Sequence, residues 1–236
     1  MDIKDFATLT VSYNDEKHIG GMLKGVEDLH NLVIISKPWR GEHIRFDKSR
    51  EIAERMNAEV IYQDFVSEKD ERNFGMEYLE KSGFKHIFII DTDEYYKKED
   101  IYKMMKYVEE HPSDSCRNNN DKVYWKSWKH HFQHRSCISY MKASSRFSGK
   151  RTPKEKTTHG FPAEIEMHHF TFERTEEEML EKAETREYLV LTKTWIEKYW
   201  KNWQPGENYK DFKIIRTVNI PEEILGRYIK SINLLY

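Results

Sequence analysis

The first 112 residues alternate between two hydropathy rhythms, and that alternation sharply limits the folds open to the chain. The stretch "FATLTVSY" (6–13) reads as a buried strand, and Ile19, Met22, Leu23 and Val26 then recur at the i, i+3, i+4, i+7 spacing of one helix face. "NLVIIS" (31–36) predicts a second strand, residues 48–56 a helix, and "AEVIYQDF" (58–65) a third strand. Ser67 and Asp70 resemble a capping box that opens a helix through Leu79, closed by Gly83. "HIFII" (86–90) is the fourth strand, and Ile101, Met104, Met105 and Val108 stripe a further helix that Pro112 stops. Strands apolar on both faces, alternating with helices, predict an α/β fold: a mostly parallel sheet flanked by helices. Such sheets bind ligands at the carboxyl ends of their strands.

The rhythm changes from residue 113. Aromatic-rich strand-like pieces lead into a Gly/Lys/Thr/Pro loop, 148–160, expected to be mobile, and "PAEIEMHHFTF" (162–172) reads as another strand. Thr175 and Glu178 form a second capping-box match, starting a helix with Met179, Leu180 and Ala183 on its face. Trp195, Trp200, Trp203 and the turn "QPGENY" mark a C-terminal helical and aromatic extension. We expect one domain over 1–236, with a ligand-binding half at 1–112, a second part at 113–185 and the extension at 186–236.

Charge and cysteine content remove several function classes. The 39 Lys and Arg against 41 Asp and Glu leave a net charge of −2, so no global basic field favours nucleic acid. Cys116 and Cys137 make neither a disulfide framework nor a zinc spacing, which suits a reducing compartment and sets the cytoplasm as the expected location. "MDIKDFATLTVSYND" lacks the basic and apolar regions of a signal peptide, and no run approaches the roughly 18 apolar residues of a transmembrane segment.

The fourth strand runs directly into Asp91-Thr92-Asp93-Glu94. Two aspartates two apart on an extended chain point the same way and repel, and a divalent cation would relieve that repulsion. The plainer alternative is that one of them caps the following loop or helix.

Four stretches, "TLTVSYNDEKHIGGML", "ERNFGMEYL", "IFIIDTDEYY" and "MHHFTFERTEEEMLEKAE", occur in one order between residues 6 and 185. Together they resemble the GT-A glycosyltransferases, particularly the family 2-like enzymes. The resemblance implies a metal-dependent, hexosyltransferase-type enzyme that moves a sugar from a nucleotide-sugar, expected to be a UDP-sugar, to an acceptor hydroxyl on a glycan, a lipid-linked or another molecule. It implies Mn²⁺ or Mg²⁺ as cofactor, with Asp93 as direct ligand, Asp91 on the metal, its water shell or the ribose, and Glu94 orienting them.

By the same resemblance a histidine from the later strand completes the metal site, and its position before Phe170 favours His169. Strand alternation instead puts His168 on the face shared by Glu164 and Glu166, so both histidines stay open. Glu164 and then Glu166 are the candidates for a general base, which an inverting reaction needs and a retaining one does not. Ser12, Tyr13 and Asn14, then Ser36 and Trp39, then Asp64 are the strand-end positions expected to hold the nucleoside, and Arg72 and Arg174 suit phosphate.

Residues 122–156 carry ten Lys or Arg against the single acid Glu155, interleaved with Tyr124, Trp125, Trp128 and Phe132. This segment predicts either a solvated face or a groove for an anionic acceptor. Two competing functions follow: a non-catalytic module binding nucleic acid or another anionic polymer through it, and a sugar nucleotidyltransferase. The second requires a Gly-rich loop where this chain has "SYNDEKH".

Overall fold

Seven consecutive buried residues, Phe6–Ser12, form β1, and the main sheet is built outward from it. A computed structural model describes residues 2–38, 47–134, 138–155, 159–185, 192–208, 213–217 and 220–233. β2 (His30–Ile35) runs parallel to β1 on one side and β3 (Glu59–Tyr62) extends it, while β4 (His86–Ile89) lies parallel on the other. The intervening helices are α1 (Glu16–Gly25), α2 (Ser49–Arg55), α3 (Glu68–Lys81) and, after β4, α4 (Lys98–Glu110).

The continuous burial of these strands has a two-sided cause. Phe6, Val33, Ile35 and Phe88 pack with Ile19, Leu23, Ile52, Met104 and Val108 of α1, α2 and α4, whereas Ala7, Leu9, Ile34 and Ile87 pack with Met76 and Leu79 of α3. Alternate residues of one strand therefore face opposite helical layers. The threonines among them are paired: Thr8 Oγ1 donates to Asn31 Oδ1 at 2.7 Å and Thr10 Oγ1 to the Ile90 carbonyl at 2.8 Å. α3 approaches so closely that a Cβ on Gly75 would overlap Leu9, and Gly83, at φ +93°, ends the helix in the left-handed region.

The remaining strands are β5 (Glu94–Tyr95), β6 (Ser115–Arg117), β7 (Asp121–Trp125), β8 (Ser127–His134), β9 (Ile138–Lys142), β10 (His159–Gly160), β11 (Met167–Phe172) and β12 (Ile215–Arg216). One seven-stranded sheet has the order β10-β6-β9-β4-β1-β2-β3, in which β9 runs antiparallel to its neighbours β4 and β6. A five-stranded sheet has the order β12-β8-β7-β11-β5. The helices after these strands are α5 (Glu176–Thr185), α6 (Lys193–Trp195), continued by a wide turn Ile196–Lys201, and α7 (Glu222–Asn233). This is the expected α/β architecture: a mostly parallel sheet flanked by helices, with a C-terminal helical and aromatic extension. Among the described residues no helix is long and apolar enough to cross a membrane.

Three expectations need correction. The strand expected over 162–172 begins only at Met167, because Ile165 N–H donates to the Pro162 carbonyl at 3.1 Å and turns the chain before it. The described part of the loop 148–160 is tied down rather than loose. Ser148 N–H reaches the Thr152 carbonyl at 2.9 Å, and Asn73 of α3 grips both the N–H and the carbonyl of Phe147 at 2.7 and 3.0 Å. Most aromatic residues singled out in the basic segment are buried, and only Trp128, with Lys129 over its ring, stays partly exposed. Trp125 and Phe132 pack with Trp195, Trp200 and Trp203 of the extension, and Tyr124 lies against Phe170 in the main core.

Candidate active site

The acidic stretch after β4 is a turn that carries the chain from one sheet to the other. Glu94 N–H donates to the Asp91 carbonyl at 3.0 Å, and the chain re-enters as β5 in the second sheet. Asp91 and Asp93 are therefore not alternate residues of an extended strand, and their side chains meet different partners.

Asp91 is held from two directions. Its Oδ1 accepts from Arg72 Nη2 at 2.8 Å and its Oδ2 from Arg151 Nη1 at 3.0 Å. Arg72 is 1% exposed and also holds Glu68 Oε1 through Nε and Nη2 at 3.0 and 2.8 Å, an i, i+4 pair along α3. Its third nitrogen, Nη1, is buried with no hydrogen-bond partner among the described residues. Arg151 comes from the tied-down loop, where its guanidinium also meets both Glu94 oxygens and donates to the Ile89 carbonyl at 2.8 Å. Burial opposes the charge on Asp91, but Arg151 and Arg72 outweigh it and hold the carboxyl down at about 2. Glu94 moves the opposite way: full burial raises it, against Arg151 and with Asp91 beside it.

Asp93 belongs to a second cluster. β11 pairs with β5 so that His169 lies opposite Glu94, and Phe170 N–H donates to the Asp93 carbonyl at 2.8 Å. His169 Nε2 then sits 3.5 Å from Asp93 Oδ1, and its Nδ1 lies 3.4 Å from Asp121 Oδ2 on the adjacent β7. The other oxygen, Asp93 Oδ2, accepts from Arg174 Nη2 at 3.1 Å and Lys182 Nζ at 3.2 Å. Burial opposes ionisation here too, yet Lys182, His169 and Arg174 hold the Asp93 carboxyl well below the carboxylate range. For His169 burial favours the neutral ring, and Asp121 and Asp93 overcome it, so the proton is held well above the usual value. His168 points the other way into the core, its Nδ1 2.7 Å from the Tyr124 hydroxyl, and burial with Lys122 pushes its pKa down to about 3.

Two adjoining clefts meet at Lys182. The smaller, about 390 Å³, is lined by Val11, Arg72, Asp91, Asp93, His169 and Thr171 among others, and the larger, about 650 Å³, by Tyr13, Asn14, Asp15, Lys17, Arg174 and Glu178. A third, about 760 Å³, continues past Tyr13 and Asn14 to Ser36, Asp47 and Ser49 at the ends of β1 and β2. Asn14 adopts φ +50° and donates to Glu181 Oε1 at 2.8 Å, which ties α5 down over the end of β1.

The positions singled out from the sequence divide accordingly. Tyr13, Asn14, Ser36, Arg72, Asp91, Asp93, His169 and Arg174 line these clefts, with Ser12 buried. Asp64 is half exposed on Lys37 Nζ at 2.6 Å, and Trp39 lies outside the described residues. Glu164 is an exposed turn residue and Glu166 is paired with Lys122 at 2.7 Å, and neither lines the three clefts. Sequence reading missed Asp121, Arg151 and Lys182. A polar residue opening a strand, or an Arg in a Gly/Thr/Pro loop, carries no local signal of its distant partner.

No protein-family model matches the chain, and no curated protein sequence matches it. Solved structures do. S. aureus TarS in complex with UDP-GlcNAc matches at 17% identity, covering 50% of this chain and 35% of that one, with a TM-score of 0.39. The mannosyltransferase PcManGT from Pyrobaculum calidifontis, in complex with GDP-Man and Mn²⁺, matches at 9% identity over 58% and 44% of the two chains, with a TM-score of 0.42. A putative nucleotide-diphospho-sugar transferase from Desulfovibrio desulfuricans matches at 8% identity over 59% and 64%, with a TM-score of 0.38. The chain thus spans less than two thirds of each of these structures, and at such TM-scores its function has to be read from its own residues.

Proposed function

We propose that this chain is a glycosyltransferase that takes a hexosyl group from a nucleotide-sugar, a UDP-sugar first among the candidates, and delivers it to an acceptor hydroxyl. The observation that carries this reading is the convergence of Asp93, His169, Arg174 and Lys182 where parallel strands end, beside clefts that run back to Tyr13, Asn14 and Ser36. Glycosyl transfer leaves charge on a departing diphosphate, and a site rich in fixed cations stabilises that charge as it develops. The clefts at the ends of β1 and β2 would take the nucleoside, which puts the diphosphate at the Asp93 cluster.

Among the described residues no group of three His, Cys, Asp or Glu side chains could hold a metal by itself. Asp91 has both oxygens on guanidinium groups and does not join Asp93. Asp93 and His169 would fit as a pair if the ion displaced the Nε2 proton: Asp121 takes the Nδ1 side of the ring and leaves Nε2 facing Asp93, an arrangement in which a carboxylate orients a ligating histidine. These two residues would hold the ion, with the remaining positions left to diphosphate and water. Mixed oxygen and imidazole ligation suits Mn²⁺ better than Mg²⁺. When bound, the ion would neutralise charge on the leaving diphosphate.

The chain's own residues bind and orient. Arg174 is held by Asp15 Oδ1 at 3.4 Å and by the Thr171 carbonyl at 3.2 Å, so its charge is fixed next to Asp93. Glu164 and Glu166 line none of the three clefts, so neither is supported as the proton acceptor that an inverting reaction needs. The burial of Tyr124, Trp125 and Phe132 leaves only the partly exposed Trp128 of the rings that an oligonucleotide-binding module would stack on, which counts against that reading. The test is nucleotide release from a panel of UDP- and GDP-sugars with Mn²⁺. We expect slow donor hydrolysis with one nucleotide class; no release and no thermal stabilisation by any member would contradict the reading.

A further inference from the structure

Two cations share one oxygen of Asp93, and they differ in the shape of the charged group and of the stem that carries it. Arg174 is fixed by Asp15 and the Thr171 carbonyl as well as Asp93, and its planar fork gives it one geometry. Lys182 is 9% exposed and donates to Asp93 Oδ2 at 3.2 Å, Thr171 Oγ1 at 2.6 Å and the Thr171 carbonyl at 3.5 Å from the end of a four-carbon stem on α5. It lines both the smaller cleft and the larger one. A dication arriving at Asp93 and His169 would meet the ammonium on the same carboxylate, and the two repel. A compact ammonium on a flexible stem can turn to a new acceptor without matching a planar fork, and the seam between the clefts is where the charge would go.

We propose that Lys182 is a diphosphate-binding residue that exchanges partners: it neutralises Asp93 in the empty site and turns to the donor's diphosphate when the site is loaded. This rests on the function proposed above and goes beyond it, because it gives the same side chain opposite effects on two ligands. It competes with the cation and assists the anion. A side chain that only supported the fold would assist both.

Lys182→Met separates these possibilities. Mn²⁺ binding without nucleotide is followed by electron paramagnetic resonance of the free ion, and binding of UDP or GDP, whichever wild type prefers, by calorimetry in saturating Mn²⁺. Mn²⁺ affinity should rise about two- to fivefold, the size of one lost competing ion pair. Nucleotide affinity should fall about 10- to 100-fold, the size of one charged hydrogen bond to phosphate. Lys182→Arg should recover most of the nucleotide affinity. Thermal melting establishes that the variants are folded, and Lys182→Gln replaces Met if the latter is not. Nucleotide affinity within about threefold of wild type, or Mn²⁺ and nucleotide affinity falling together, would overturn the proposal. Failure of the wild type to bind either nucleotide would overturn the glycosyltransferase reading and this inference with it.

Discussion

Arg72→Met tests whether the acidic turn is built on a buried charge network. The guanidinium is 1% exposed and holds Glu68, 8% exposed, and Asp91, 23% exposed, both at 2.8 Å. Methionine keeps the apolar stem and removes the charge, which strands Glu68 completely and leaves Asp91 with Arg151 alone. Removing one member of a buried ion pair costs about 3–5 kcal/mol, and because Asp91 keeps a partner we expect about 3 kcal/mol here. For a chain of this size that is a fall of roughly 6–12 °C in Tm. The direct assay is urea unfolding at pH 7 followed by circular dichroism, with the midpoint shifting at constant slope. Adding Glu68→Leu removes the stranded carboxylate and should restore about 1–2 kcal/mol. A loss below about 1 kcal/mol in the single variant would refute the buried network, since that is the range of a solvated pair.

Acid stability gives an independent check. His18 is fully buried beside the stacked pair Phe170 and Tyr228, and burial, then Arg174 and Lys17, holds its pKa well below the usual value. The unfolded chain therefore takes up that proton first, so its contribution is intact above about pH 6.5 and is lost as pH falls below that, by at most about 1.4 kcal/mol per pH unit. His18→Phe should flatten the stability profile between pH 7 and 5 in urea titrations, and an unchanged profile would contradict the buried neutral ring. Gly75→Ala, where a Cβ overlaps Leu9, should cost about 1–3 kcal/mol by the same assay, and a neutral result would mean α3 sits farther from β1. Asp121→Asn loses the carboxylate that orients His169 and should weaken Mn²⁺ binding about 10- to 100-fold while the protein stays folded, as read by resonance of the free ion.

The sheet was legible in the sequence because its signals are local. Continuous apolar runs of four to seven residues, helical stripes and the Ser67 and Thr175 caps each declare themselves within one element, and both caps form as expected, with Asp70 N–H and Glu178 N–H on the respective hydroxyls at 3.2 Å. The location of the acids followed from the strand they end. What composition concealed was partnership across the chain. Arg151 reaches Asp91 over 60 positions and Lys182 reaches Asp93 over 89, and no periodicity encodes either contact. The two histidines show the same limit: alternation says that they point apart, while only the pairing of β11 with β5 and β7 decides that His169 is the one beside Asp93. The basic aromatic segment misled for a related reason, because the tryptophans that bury its rings lie in the extension 60 to 80 positions later.

Under the proposed function, Asp93 organises the binding of a nucleotide diphosphate at the carboxyl edge of the sheet. Calorimetric titration of UDP and GDP into wild type and Asp93→Asn, each with Mn²⁺ and with chelator, measures this directly. Mn²⁺ should assist binding of one nucleotide to the wild type, and that assistance should be lost in Asp93→Asn while the variant still melts cooperatively. Equal binding to both proteins in Mn²⁺ would contradict it.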